Sequence, residues 1–228
     1  MRKLAEWLGR SPLAKSIQHL LFVLHVCVIF YDDAERSKVV DLIGRVKNET
    51  EIVQGMEEAY SIFMAVKSTQ KVKGEIAEVG VFKGGSAKLI CEAKGEKELH
   101  LFDTFEGLPE VGAVDERFRK GMYRSSENNV RSYLMNYLGV HIYKGEFPET
   151  AKPIENRKFS FVHLDVDIYL STLNCLKFFY PRMSKGGVIL CHDYMSSAGV
   201  RRAFDEFFTD KPEPVIEMPR SQCLVVKL

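Results

Sequence analysis

The sequence predicts an α/β fold: a doubly wound, mostly parallel sheet of seven strands that ends in an antiparallel hairpin and follows an N-terminal helical extension. Three observations predict it. From Gly74 onward, short apolar runs rich in β-branched residues alternate with helical stretches, the mark of buried parallel strands joined by crossovers. The first run passes into a glycine-bearing turn, Glu78 to Ser86. The last two runs, PVIEM and QCLVVKL, are separated by only Pro219, Arg220 and Ser221, too few residues for a helix, so they pair as a hairpin.

The elements follow in order. Residues 35–69 read as two polar-faced helices. The second is expected to start after Thr50, a good N-cap, with Ile52, Met56, Tyr60, Phe63 and Val66 at helical spacing. Then come the strand EIAEVGV, a helix from Gly84, the strand KELHLFD, and a loop leading to a helix near Glu127 to Leu138. VHIYKG and FSFVHLDVD are strands, and a helix over Ser171 to Tyr180 precedes the strand GGVILCHD. A helix over Val200 to Phe208 leads into the closing hairpin. The expected division is 1–70 as a helical lid and interface extension and 71–228 as the ligand-binding domain.

Composition narrows the function classes. The 228 residues carry 32 Lys+Arg against 31 Asp+Glu, so no global field draws the chain to nucleic acid, and no nucleic-acid partner is expected. Five scattered cysteines, Cys27, Cys91, Cys175, Cys191 and Cys223, have no CxxC or zinc spacing and read as reduced core thiols. A cytoplasmic location is the expectation. The apolar run Ile17 to Tyr31 is shorter than the roughly 20 residues of a membrane span and lacks a signal-cleavage site. It reads as a buried or interface helix, which favours a homo-oligomer over peripheral membrane contact.

The turn after the first strand carries the first chemistry. Gly80, Gly84, Gly85 and Ser86 let the backbone approach a ligand and present a helix N-terminus to it, with GxxxGG spacing in place of the dinucleotide GxGxxG. Asp103 stands nineteen residues after Gly84 at the end of the second strand, where a carboxylate can take both ribose hydroxyls. The pair points to an adenosine-containing ligand. Glu78, an acid beside the loop, suits a cationic amino-acid tail better than a pyrophosphate. With the closing hairpin, this is the pattern of a class I methyltransferase with its Rossmann-like fold.

A second cluster forms at the tips of the fourth and fifth strands. Asp165, His192 and Asp193 are expected to meet there, outside the carboxyl ends of neighbouring strands. Two carboxylates and an imidazole fit a divalent metal; the oxygens suit magnesium, and the imidazole shifts the preference toward manganese, iron or zinc. Such an ion activates a hydroxyl by lowering its pKa, and a nearby carboxylate takes the proton.

The motifs EVGVFKGGSA (78–87), LFDTFEGLPE (101–110), KGEFPET (144–150), HLDVDIYLST (163–172), YPRMSKGGVIL (180–190) and HDY with VRRAFDEF (200–207) resemble the macrocin O-methyltransferase family (TylF/MycF-like), whose members methylate sugar hydroxyls of natural products. The resemblance implies S-adenosylmethionine and magnesium; the imidazole of His192 keeps manganese as the other candidate ion. It implies that Glu78, Val79, Gly80, Val81 and Phe82, and Asp103, Thr104, Phe105 and Gly107, hold the cofactor, with Thr50, Gly84, Ser86 and Asp165 against it. Asp165 would be metal ligand and general base, completed by His192 and Asp193. The family's closing pair is usually Asp-Asp, and its YEST reads YLST here, with Leu170 in place of a polar residue. The expected activity is methyl transfer to a hydroxyl of a sugar or glycosylated small molecule.

Three rivals stand beside it. A catechol or phenol methyltransferase needs vicinal hydroxyls to chelate the ion, and an acceptor screen separates it. A nicotinamide-dependent oxidoreductase needs GxGxxG. A catalytically decayed cofactor-binding protein binds cofactor with no metal effect. Arg117, Arg119, Lys120 and Arg124, in the long loop after the second strand, read as solvated charges.

Overall fold

The computed structural model describes Ser16 and residues 34–228. The chain divides into two compact units, residues 1–37 and 38–228, and the sheet lies wholly within the second. The apolar run Ile17 to Tyr31 and Cys27 lie outside the described residues.

Seven strands form one sheet in the order β3-β2-β1-β4-β5-β7-β6. They are β1 (Glu75–Val79), β2 (Leu99–Asp103), β3 (Val140–Lys144), β4 (Phe159–Leu164), β5 (Met183–Cys191), β6 (Ile216–Glu217) and β7 (Cys223–Val226). The first five pair in parallel, and β7 runs antiparallel to both β5 and β6. This is the class I methyltransferase architecture that the terminal hairpin predicts. Strand order reverses about β1, which has β2 on one side and β4 on the other. The crevice at a topological switch point therefore opens at the carboxyl ends of β1 and β4.

The helices are α1 (Ala34–Glu49), α2 (Met56–Ser68), α3 (Gly85–Ala93), α4 (Glu127–Leu134), α5 (Tyr169–Phe179) and α6 (Ala198–Phe208). Strand alternation sorts them to two faces. Ala77, Val79, Val162 and Leu164 pack with Leu176 and Phe179 of α5 and Val200 and Phe204 of α6. Ile76, Leu101, Phe161 and Leu190 pack with Ile62 and Val66 of α2, Ile90 of α3 and Val130 and Leu134 of α4. β1, β2, β4 and β5 thus bury apolar side chains on both faces, as a parallel sheet under two helix layers requires. Leu42, Ile43 and Val46 of α1 close a smaller cluster with Ala59 and Leu89. Cys91, Cys175, Cys191 and Cys223 are buried free thiols, as expected. Among the described residues no helix is long and apolar enough to cross a membrane.

The expected start of α2 after Thr50 is corrected. The backbone N–H of Thr50 instead bonds to Val46 O and closes the last turn of α1. Gly55 is the N-cap of α2, and its N–H donates to Glu58 Oε2 at 2.8 Å, the reciprocal half of a capping box. Residues 51–54 between the two helices are not helical, so Ile52 belongs to a connecting segment and lies against Gly85, where a Cβ would sit 2.8 Å from that of Ile52. At the start of α5, Asp115 from the β2–α4 loop accepts the N–H of Tyr169 at 3.0 Å, while the N-cap residue Ile168 offers no side-chain acceptor.

Candidate active site

The turn after β1 is shaped by close backbone approach. Gly80, at φ +89°, runs against β4 so tightly that a Cβ would meet Asp165 O at 1.8 Å, so only glycine fits. Its neighbour Phe82 is also left-handed, at φ 50°. That strained turn is held by Asp103: Oδ2 accepts Val81 N–H at 2.7 Å and Phe82 N–H at 2.8 Å, and Oδ1 accepts Phe105 N–H at 2.6 Å. Burial pushes the Asp103 carboxyl above its usual range against the pull of these three donors. The side chain is therefore a brace between the β1 and β2 loops as well as a candidate ligand group.

The cavity above these loops has a volume of about 230 Å³. Val79, Gly80, Phe82, Asp103, Thr104, Gly107 and Asp165 line it from the β1, β2 and β4 ends. His192 and Asp193 enter from the end of β5, and Arg117, Met122 and Tyr123 from the β2–α4 loop. Of the other residues proposed for the cofactor, Val81 and Phe105 are buried and do not line this cavity. Thr50 Oγ1 donates to Lys83 O at 3.2 Å, on the outer side of the glycine turn. Gly84 is the left-handed N-cap of α3, and Ser86 lies in its first turn.

Glu78 is sealed beneath the turn. Its register partner on β4 is His163, and Oε1 lies 2.8 Å from His163 Nδ1, with both side chains fully buried. Burial raises the Glu78 carboxyl above its ordinary value despite hydrogen bonds from His163 and Ser86. The other Glu78 oxygen and His163 Nε2 have no partner among the described residues. His163 thus faces inward to Glu78 and does not line the cavity.

The strand tips bring Asp165, His192 and Asp193 together, with one donor atom from each within 4.8 Å of the others. Asp165 Oδ1 and Asp193 Oδ2 each lie 3.2 Å from His192 Nδ1. The outer atoms are tied back: Gln54 Nε2 donates to Asp165 Oδ2, Ser196 Oγ donates to Asp193 Oδ1, and Glu58 Oε1 stands 3.5 Å from His192 Nε2. Burial alone would lower the His192 pKa; Asp165, Asp193 and Glu58 outweigh it and raise it far above the imidazole range. Burial would raise Asp193, but His192 and Ser196 hold it at about 2. Burial and the charges of Asp165 and Asp193 push the Asp167 carboxyl well above its ordinary value.

The donor set fits a divalent cation. Ligands bound at about 2.1 Å in an octahedron lie roughly 3 Å apart along each edge, close to the 3.2 Å separations about Nδ1. Restrained outer atoms are what a metal site's second layer supplies. Gln54 and Glu58 did not stand out in the sequence, because their links to this cluster span more than a hundred residues and leave no local pattern.

The chain is similar to known methyltransferases. Residues 54–219 match the family described as Macrocin-O-methyltransferase (TylF). A tetracenomycin-C rhamnosyl 4'-O-methyltransferase from Streptomyces olivaceus is 31% identical over 144 residues, covering 56% of this chain and 55% of the relative. Demethyldecarbamoylnovobiocin O-methyltransferase from Streptomyces niveus is 29% identical, covering 60% and 58%. The chain therefore spans little more than half the length of these two relatives. The solved structure of the O-methyltransferase NovP superposes with a TM-score of 0.68 at 27% identity, over 76% of this chain and 80% of that one.

Proposed function

The chain belongs to the macrocin O-methyltransferase (TylF) family, and on that premise we propose that it transfers a methyl group from S-adenosylmethionine to a hydroxyl of a sugar or glycosylated small molecule. One observation carries the reading. The glycine turn, the Asp103 brace and the Asp165–His192–Asp193 cluster all open onto one cavity at the switch point of the sheet. One relative is named for a rhamnosyl-bearing tetracenomycin and another for demethyldecarbamoylnovobiocin, and the rhamnosyl name supports a glycoside as the acceptor.

In this reading the β1 and β2 loops hold the cofactor. Gly80 brings the backbone to it, and the lone pairs of Asp103 left by its three backbone donors take the ribose. Asp165 Oδ1 accepts the hydroxyl proton as the new C–O bond forms and the C–S bond of the sulfonium breaks, leaving an ether and a thioether. Gln54 fixes the other oxygen of Asp165, so the accepting atom keeps its direction. Asp165, His192 and Asp193 would hold a divalent cation, which lowers the pKa of a coordinated hydroxyl when bound. Proximity supplies the rest, since an in-line pair held at contact distance avoids the entropy of encounter.

The test is methyl transfer from labelled S-adenosylmethionine to parallel panels of glycosides, nucleotide sugars and catechols. Label in a sugar-bearing acceptor is the expected result. Label confined to catechols, or to none of the panels, contradicts the reading.

A further inference from the structure

We infer that Glu58 is a positioning residue for the metal set, holding the His192 ring so that Nδ1 is presented beside Asp165 and Asp193, and that the resulting nitrogen donor turns the site toward manganese over magnesium. The inference rests on the proposed function and concerns a residue that no motif of the sequence marks.

Glu58 is 5% exposed and sits in the first turn of α2. Its carboxylate is fixed from both sides. Oε2 accepts Gly55 N–H at 2.8 Å, while Oε1 accepts Ser221 N–H at 3.1 Å and Ser221 Oγ at 2.6 Å. The donors come from the N-terminus of α2 and from the turn between β6 and β7, so the carboxylate cannot swing away without loosening both. In that fixed position Oε1 faces His192 Nε2 at 3.5 Å, and the opposite edge of the ring turns Nδ1 to Asp165 and Asp193, 3.2 Å from each.

The chemistry follows from the inventory of an imidazole. A neutral ring has one N–H and one lone pair. With an ion at Nδ1, a carboxylate behind Nε2 keeps the one N–H on that edge and leaves the Nδ1 lone pair, which faces the other two donors, to the metal. Ligating histidines are commonly backed in this way, and the backing acid fixes ring orientation and raises the basicity of the ligating nitrogen. Imidazole suits transition ions, whereas magnesium selects oxygen and water. Removal of such a partner characteristically weakens metal binding about 10–100-fold.

The test is direct cation binding to the metal-free protein. Manganese is followed by the electron paramagnetic resonance of the free ion, and magnesium by competition. The proteins are wild type, Glu58→Gln, His192→Asp and the double variant, with folding checked by circular dichroism and S-adenosylhomocysteine affinity measured in chelator. Wild type is expected to prefer manganese. Glu58→Gln should weaken manganese about 10–100-fold with little change for magnesium. His192→Asp should abolish the preference, and Glu58→Gln should then cause no further loss. Equal manganese affinity in wild type and Glu58→Gln, or no cation binding by a wild type that binds S-adenosylhomocysteine, overturns the inference and leaves the cofactor reading intact. Failure of S-adenosylhomocysteine to bind the wild type overturns the proposed function itself.

Discussion

Glu78 and His163 face each other across β1 and β4 with Oε1 and Nδ1 2.8 Å apart, and neither side chain reaches solvent. The pair lies on the α2 and α3 side of the sheet, directly below the glycine turn. An acid that sequence reasoning sets against the cofactor's amino-acid tail is therefore, first, part of the foundation under the turn.

Glu78→Ala strands the His163 ring, whose Nε2 already lacks a partner among the described residues. An unsatisfied buried polar group costs about 1–3 kcal/mol, and each kcal/mol lowers Tm by roughly 2–4 °C in a protein of this size. Thermal unfolding should show that loss, with Glu78→Gln milder. An unchanged Tm in both variants contradicts the foundation role.

Asp103 should matter for both binding and stability. Asp103→Ala removes both the brace on Val81, Phe82 and Phe105 and the proposed ribose acceptor. Hydrogen bonds to a charged group are worth about 1.5–3 kcal/mol. S-adenosylhomocysteine affinity should fall at least about tenfold, with Asp103→Asn intermediate. Titration calorimetry checks the order.

Glu58 predicts a signature in acid. Burial would raise its carboxyl, but His192, Ser221 and Gly55 hold it at about 2, below the ordinary 4.5. A depressed carboxyl stabilises the fold above its unfolded pKa, and that stability is lost as pH falls from 4.5 toward 2. Glu58→Gln cannot titrate. The Tm gap between wild type and variant should be widest above about pH 5 and close as pH approaches 2; a gap that does not change with pH contradicts the assignment.

His192 predicts the opposite direction for metal. Three carboxylates favour the protonated ring, and Nδ1 must be free of its proton before it can ligate an ion. Manganese affinity should therefore climb with pH, by up to about tenfold per unit between roughly pH 6.5 and 8.5. Calorimetry at three pH values reads the slope, and a flat profile places the ion on oxygen donors alone.

The sheet was legible because its information is local. Alternating apolar runs such as FSFVHL and the short PVIEM–QCLVVKL connection specify strands and hairpin within a few residues, and both are as expected. The meeting of Asp165 with His192 and Asp193 was legible from strand adjacency. The start of α2 was not, because Thr50 and Gly55 are both acceptable N-caps and the choice fell to Glu58, whose carboxylate reaches back to Gly55. Nor was the outer layer of the cluster. Gln54, Glu58 and Ser221 reach it through contacts between distant parts of the chain, which no spacing rule encodes.

The most direct measurement is calorimetric titration of S-adenosylhomocysteine into the purified wild-type protein. One-to-one binding in the micromolar range, lost or strongly weakened in Asp103→Ala, is the predicted result. No binding with or without a divalent cation, alongside clear binding of a nicotinamide nucleotide, would contradict the account at its centre.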